Sequence, residues 1–295
     1  MVRALIIING YPAGEKFLRQ AESLKSALEE RGIQADILKN GEVYALVQKD
    51  GGISLSLKEK YNFCVYLDKD KYLGYLLEGA GLRLFNSARA VELCDDKMTT
   101  YIALKDCGLP LAESIPAPLC YTQGATPNTA FLQAVADQLG FPLVAKKSYG
   151  SFGAGVRLVH GIDELEKTER EWLYTPHFYQ RYMQSSKGRD VRVIVVGGKA
   201  LGGMERVAQG DEFRSNIELG SEGRRAELLP EYARVAEQAA AALGLEYCGV
   251  DLLETDEGPV LCEVNSNAFF EGFERVTGIQ VAKAFAERLD KCVII

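Results

Sequence analysis

The sequence predicts an α/β chain: a small open α/β sheet at the N-terminus, then α+β segments built around hairpins. Three observations carry this. The chain opens strand–helix–strand, with an almost unbroken apolar first strand. Residues 191–206 and 247–265 each read as two strands about a tight turn. Elsewhere short apolar runs alternate with capped helices, without an internal repeat, low-complexity tract or long linker.

Taken in order, residues 2–9 (VRALIIIN) form a buried parallel strand. A loop with Gly10, Pro12 and Gly14 follows, then a helix over 15–31 with Phe17, Leu18, Ala21, Leu24 and Leu28 at helical spacing. Gly32 ends it, 34–38 is a second strand, and 64–68 and 83–85 are further ones. G-x-G-x-x-G is absent, so this opening reads as a scaffold that lends loop residues to a substrate pocket. Ser87 caps a helix, and Asp95-Asp96-Lys97 leads into another over 98–107, closed by Gly108 and Pro110. Residues 116–128, rich in Pro, Thr and Gly, are loop; Asn128 or Thr129 opens a helix to Leu139, stopped by Gly140 and Pro142. Strands at 141–147 and 156–160 flank a glycine-rich loop, and strands at 191–196 and 199–206 are joined by Gly197-Gly198. Helices are expected at 231–243 and 276–289.

A chain of 295 residues makes one large domain or two to three small ones, and needs no disulfide staples. Its net charge of −7 excludes a general nucleic-acid or anionic-membrane binder but leaves room for a local basic cleft. Seven cysteines, none in a C-x-x-C pair, point to reduced, core-packed thiols and a cytoplasmic setting. Two histidines are too few for a histidine-based metal centre. The apolar run 4–8 is too short for a signal-peptide core, and nothing approaches a membrane span.

The chemistry centres on YCGVDLLETDEGPVLCEVNSN, from Tyr247 to Asn267. Asp256-Glu257-Gly258 suits a three-residue hairpin loop with Gly258 in the left-handed position. That register sets Asp251 across from Glu263, with Leu261, Glu263 and Asn265 on one face. Opposed like charges are unfavourable unless something positive lies between them. Two carboxylates and an amide suit Mg²⁺, which completes its shell with water and substrate phosphates. A solvated hairpin gives the same short pattern, so the surrounding residues decide.

Lys146 ends a strand before Gly150-Ser151-Phe152-Gly153-Ala154-Gly155, whose glycines let backbone N–H groups approach a phosphate while the lysine supplies countercharge. It is neither a P-loop nor a dinucleotide fingerprint, and a plain hairpin turn fits as well. Lys97, alone, is an ordinary solvated lysine. Asp190 and Arg192 share a strand face, Arg206 ends the next strand, and Arg214-Ser215-Asn216 lies in the polar loop beyond. Three arginines on one hairpin suit a transferring phosphoryl group and an acyl phosphate, or form a charged exposed face.

In this order the features resemble the ATP-grasp superfamily, and more closely its RimK-type carboxylate–amine ligases. The resemblance runs from about Asn86 to the C-terminal helix. It rests on Gly202-Gly203-Met204-Glu205-Arg206, Phe213-Arg214-Ser215-Asn216, Gly249-Val250-Asp251 and Glu263-Val264-Asn265-Ser266-Asn267, with Glu271-Gly272-Phe273-Glu274 and Thr277-Gly278-Ile279 behind them. It implies an ATP-grasp fold: an N-terminal pre-ATP-grasp domain at 1–86, a central lid subdomain at 87–178 and a C-terminal subdomain with the metal site at 179–295. It also implies that Lys97 and Lys146 contact nucleotide phosphates beneath a flap containing Gly150, Ser151, Gly153 and Gly155. Gln180, Arg181, Tyr182 and Met183 would line the adenine, and Asp190 would hold the ribose side. Asp251, Glu263 and Asn265 would ligate Mg²⁺, with Mn²⁺ as an alternative. Arg192, Arg206 and Arg214, with Ser215 and Asn216, would face the phosphates and the acyl group. One position departs: the family usually carries glutamate where this chain has Arg181.

The implied reaction joins a small-molecule carboxylate to an amine, or to a peptide or protein terminus, at the expense of ATP. No nucleic-acid or membrane partner is implied, and a homo-oligomer, dimer or tetramer, follows from the resemblance alone. A small-molecule kinase on the same scaffold and a nucleotide-binding regulatory module without turnover stay open, Arg181 being the best support for the latter.

Overall fold

A computed structural model describes residues 2–11, 15–151 and 153–293; Pro12, Gly14 and Phe152 lie outside them. The first apolar run forms β1 (Arg3–Ile8), and α1 (Glu15–Glu29) crosses back to β2 (Gln34–Lys39), parallel to β1. Next come a short hairpin, β3 (Ala45–Val47) and β4 (Ile53–Leu55), then β5 (Phe63–Leu67), α2 (Lys71–Gly79) and β6 (Arg83–Phe85). The resulting parallel sheet has the order β2-β1-β5-β6. Strand order therefore reverses between β1 and β5, the place where strand carboxyl ends open a crevice. The buried stripe of α1 is Gln20, Ala21, Leu24, Ala27 and Leu28; Leu18, expected inside, is 41% exposed.

Ser87 caps α3 (Ala88–Asp95), and the Asp96 carboxylate accepts from Met98 and Thr99 N–H to start α4 (Lys97–Leu104). The central segment holds β7 (Ser114–Pro116), α5 (Thr129–Leu139), β8 (Leu143–Lys147), β9 (Val156–Val159), α6 (Ile162–Trp172) and β10 (His177–Arg181). Its antiparallel sheet has the order β7-β10-β8-β9, so it extends to Arg181, past the boundary expected at 178.

The last segment contains β11 (Arg189–Val196), β12 (Lys199–Val207), β13 (Glu222–Ala226), α7 (Pro230–Leu243), β14 (Tyr247–Thr255), β15 (Gly258–Asn265), α8 (Glu271–Thr277) and α9 (Val281–Val293). Its antiparallel sheet has the order β13-β12-β11-β14-β15. The single closing helix expected at 276–289 is two helices, because Gly278 at φ +74° ends α8.

The cores show how the parts join. Cys94, Tyr101 and Leu104 of α3 and α4 pack with Tyr232, Val235 and Leu261, so these helices belong to the five-stranded sheet. Ile6, Leu24 and Leu28 share a cluster with Tyr247, Phe273, Phe285 and Leu289, which fuses the N-terminal sheet to the C-terminal one. No helix among the described residues is long and apolar enough to cross a membrane.

Candidate active site

Strands β14 and β15 bring Asp251 opposite Glu263, as the register predicts, but by another route. The turn has two residues, Asp256-Glu257, and Gly258 (φ +109°) already pairs with Thr255. Continued as a regular ladder, that pairing would turn Glu263 into the core. A bulge, with Cys262 as the extra residue, returns Glu263 to the face of Asp251. Leu261, expected beside Glu263, consequently points the other way and is fully buried with Leu252. Tyr101 fastens the bulge: its hydroxyl donates to the Leu261 carbonyl at 2.7 Å, with the Cys262 carbonyl at 3.3 Å. Asn265 completes the face, its Nδ2 lying 3.4 Å from Asp251 Oδ2.

The opposed acids are balanced by the protein's own cations. Arg192 donates to both oxygens of Asp251 at 2.7 Å. Arg206 donates through Nε to Asp190 Oδ1 at 2.7 Å, and its Nη2 lies 2.9 Å from Asp251 Oδ2. Lys97 Nζ is 3.4 Å from Glu263 Oε1. Burial disfavours the Asp251 charge, but Arg192 and Arg206 outweigh it and hold its carboxyl below the usual range. Arg214 is likewise paired, with Glu212 at 2.8–2.9 Å, and its hydrogen bonds hold the Glu212 carboxyl down to about 2. The three arginines are therefore not free countercharges: each must share or exchange an acid to meet a phosphate. Asp190, expected on the ribose side, has its carboxylate bound to Arg206.

The glycine loop folds over this face. Lys97 N donates to Ser148 O at 2.9 Å, setting the first turn of α4 against the end of β8, and Lys97 Nζ donates to Gly150 O at 2.7 Å. Arg214 Nη1 donates to Gly153 O at 3.0 Å, and Lys69 Nζ to Ser151 Oγ at 3.3 Å. Gly150, Gly153 and Gly155 all have positive φ, which other residues adopt only under strain. Lys97, Lys146, Gln180, Tyr182, Ser215 and Asn216 line the cleft underneath. Lys146 Nζ reaches Cys262 Sγ at 3.6 Å, and burial pushes that thiol's pKa up, so it is a neutral partner. The Gln180 amide nitrogen turns inward to Tyr101 and Ser114, whereas the buried Tyr182 hydroxyl has no hydrogen-bond partner among the described residues. Arg181 borders the cleft with its guanidinium turned away. It pairs with Glu113 and donates to the Gln138 and Leu139 carbonyls at 2.9 Å, capping the negative end of α5.

A second cavity, of about 210 Å³, lies between the N-terminal sheet and β14–β15. Asn9, Asp68 and Lys69, at the carboxyl ends of β1 and β5, form one wall; Arg192, Asn265 and Ser266 form another. Asp68 accepts from Asn9 Nδ2 at 3.0 Å and Asn40 Nδ2 at 2.9 Å. The sequence offers loops 10–14, 116–128 and 266–275 for acceptor recognition; part of the first lies outside the described residues, Ser266 and Asn267 of the last line this cavity, and Asp68 and Lys69 were missed. Their position directly after an apolar strand was the available signal. The two cavities meet at Ser151, Arg206, Asn216 and Glu263, which line both.

Residues 111–289 match the RimK-like ATP-grasp domain. The chain belongs to the RimK-like ATP-grasp family. Within it, human beta-citrylglutamate synthase B is 34% identical over 215 residues, covering 72% of this chain and 54% of that protein. Probable alpha-L-glutamate ligase 1 of Shewanella sp. (strain MR-4) is 37% identical over 157 residues, 52% of each chain. The chain thus spans about half the length of these curated relatives. Among solved structures, the ATP-grasp ligase PsnB, complexed with a variant of its minimal precursor, Mg and ADP, superposes with TM-score 0.71 at 18% identity, over 99% of this chain and 98% of that one. D-alanine–D-alanine ligase from Bacillus anthracis complexed with ATP gives 0.68 at 18%, over 99% and 92%. The fold is that of the ATP-grasp proteins.

A RimK-like fold implies Mg²⁺ and a nucleotide, and the donor set fits such an ion. Asp251, Glu263 and Asn265 offer hard oxygens on one face, and the Glu263 side chain, 26% exposed, faces both cavities. Among the described residues no three His, Cys, Asp or Glu side chains gather into a metal cluster. Mg²⁺ usually takes one or two carboxylates and leaves the remaining positions to water and phosphates.

Proposed function

We propose that the protein is an ATP-dependent carboxylate–amine ligase, forming an amide through an acyl phosphate and releasing ADP and phosphate. The observation that carries this is the junction of two cavities at Arg206, Asn216 and Glu263 beneath a glycine flap. The cleft lined by Lys97, Lys146 and Tyr182 takes ATP, and the cavity walled by Asn9, Asp68 and Lys69 takes the acceptors. A substrate carboxylate oxygen attacks the γ-phosphorus and the bond to ADP breaks. The amine nitrogen then attacks the acyl carbon, phosphate leaves, and the nitrogen loses its proton. Mg²⁺, or Mn²⁺, held by Asp251, Glu263 and Asn265 would offset phosphoryl charge. Arg206 and Arg214 stabilise the transferring group, and the flap excludes water from the acyl phosphate. Arg181 does not oppose nucleotide binding, because its charge is neutralised outside the cleft.

The substrates proposed are small molecules, with a peptide terminus as the alternative acceptor. Relatives named as glutamate ligases make L-glutamate the first amine to try. Reduced thiols support a cytoplasmic location, and family likeness alone supports a dimer or tetramer.

The test is an ADP-release screen of amino-acid and small-acid pairs, followed by product mass. The expected result is ADP release requiring both partners and a product lighter than their sum by one water. Asp251→Asn and Glu263→Gln should each lower that release by about 10² or more. Normal turnover in either variant contradicts the assignment. ADP release with the acid alone and a phosphorylated product would make it a kinase; tight ATP binding with no release in the whole screen would make it a regulatory module.

A further inference from the structure

Asp251 and Arg192 form a pair whose members face different cavities. Asp251 lines the nucleotide cleft, Arg192 lines the second cavity, and Arg206 lines both. Asp251 Oδ1 accepts from Arg192 Nε at 2.7 Å. Its Oδ2 receives Arg192 Nη2 at 2.7 Å, Arg206 Nη2 at 2.9 Å and Asn265 Nδ2 at 3.4 Å. Each carboxylate oxygen offers about two acceptor positions, so the three donors on Oδ2 overfill it, and a cation reaching that oxygen from the cleft must displace one.

The two arginines are not held equally. Arg206 has a second carboxylate, Asp190. Arg192, among the described residues, hydrogen-bonds Asp251 alone. Its side chain is 15% exposed and runs past Gly249, where an added Cβ would lie 3.5 Å from Nε. A dication and a guanidinium crowded on one buried carboxylate repel each other, and Arg192 is the one with open space to move into.

We propose that Arg192 is a positioning residue for the carboxylate substrate, unmasked by metal loading. The divalent cation takes Asp251 from Arg192, and the freed guanidinium turns into the second cavity and forks onto the substrate's carboxylate. The identity of that anion rests on the ligase reading; the exchange itself does not. A planar guanidinium suits bidentate carboxylate binding. Binding is thereby ordered: the acid's cationic partner becomes available only after metal and nucleotide occupy the cleft. By linkage, the acid in turn tightens metal binding.

The exchange is tested without turnover. Mn²⁺ is titrated calorimetrically into the full-length protein saturated with AMP-PNP. Arg192→Gln removes the competing cation, so metal should bind about tenfold tighter than in wild type. Arg192→Lys, which keeps the charge without the fork, should fall between. In the wild type, phenylglyoxal labelling of Arg192, read by peptide mass spectrometry, should rise when Mg²⁺ replaces EDTA in the AMP-PNP complex. Metal binding unchanged or weaker in Arg192→Gln, or labelling that does not rise, overturns the proposal. Should Arg192→Gln fail to fold, the wild-type labelling decides. Absence of an amide product would sink the ligase reading while leaving this exchange intact.

Discussion

Asn86 shows how much one side chain can organise at a distance. It is 3% exposed, and its Nδ2 donates to the Tyr247 carbonyl at 2.7 Å and the Ser266 carbonyl at 2.8 Å. Its Oδ1 accepts from Glu246 and Tyr247 N–H at 2.8 and 3.1 Å. Both donors and both lone pairs are used, and they clamp the two ends of the hairpin that carries Asp251 and Glu263. Asn86→Ala should cost about 3 kcal/mol, since it leaves several buried backbone groups unpaired. Urea unfolding checks this as a lower midpoint at unchanged slope; a loss under about 1 kcal/mol would mean the clamp is not structural. The sequence marks Asn86 only as the start of the resemblance, not as a clamp, because Tyr247 lies 161 positions away. Arg192 and Asp251 are similar: their residue types mark a charged site, but which acid meets which base depends on strand pairing.

At the level of elements, the flap is ambiguous in the sequence and the hairpin deceptive. Glycine spacing alone fits a phosphate-approaching loop and a plain hairpin turn equally, and the structure gives Gly153 φ +72° with an added Cβ only 2.7 Å from Asn216 Oδ1. Gly153→Ala should therefore lift the flap from Asn216 and weaken AMP-PNP binding about tenfold, while costing the fold about 1 kcal/mol. Unchanged affinity by calorimetry would show that the flap does not close on nucleotide. In the hairpin, a three-residue loop and a two-residue turn followed by a bulge place the same residues opposite each other. The expected register is therefore met although the loop differs, and only the side taken by Leu261 reveals it. Strand β10 had no signal of its own: it is buried on both faces yet carries His177 and Gln180, so it shows neither alternation nor an apolar run.

Across the whole molecule, three sheets converge on one junction. The N-terminal sheet is not a detached scaffold: it shares a core with α9, and Arg31 reaches Asp290 at 2.8 Å while Arg19 reaches Glu271 at 3.2 Å. That packing brings Asp68 and Lys69 to the second cavity, and Lys69 onward to the flap at Ser151. The sheet classes are legible as local patterns, and the candidate site residues as motifs. Closure of one sheet on another is not, because it rests on contacts between distant segments that no local period encodes. The most direct measurement is a crystal structure of the protein with Mg²⁺ and AMP-PNP. The base is expected beside Tyr182, the γ-phosphate at Arg206 and Asn216, and metal about 2.1 Å from oxygens of Asp251 and Glu263. A nucleotide lodged elsewhere, or Asp251 and Glu263 without metal while the triphosphate is bound, would contradict that arrangement.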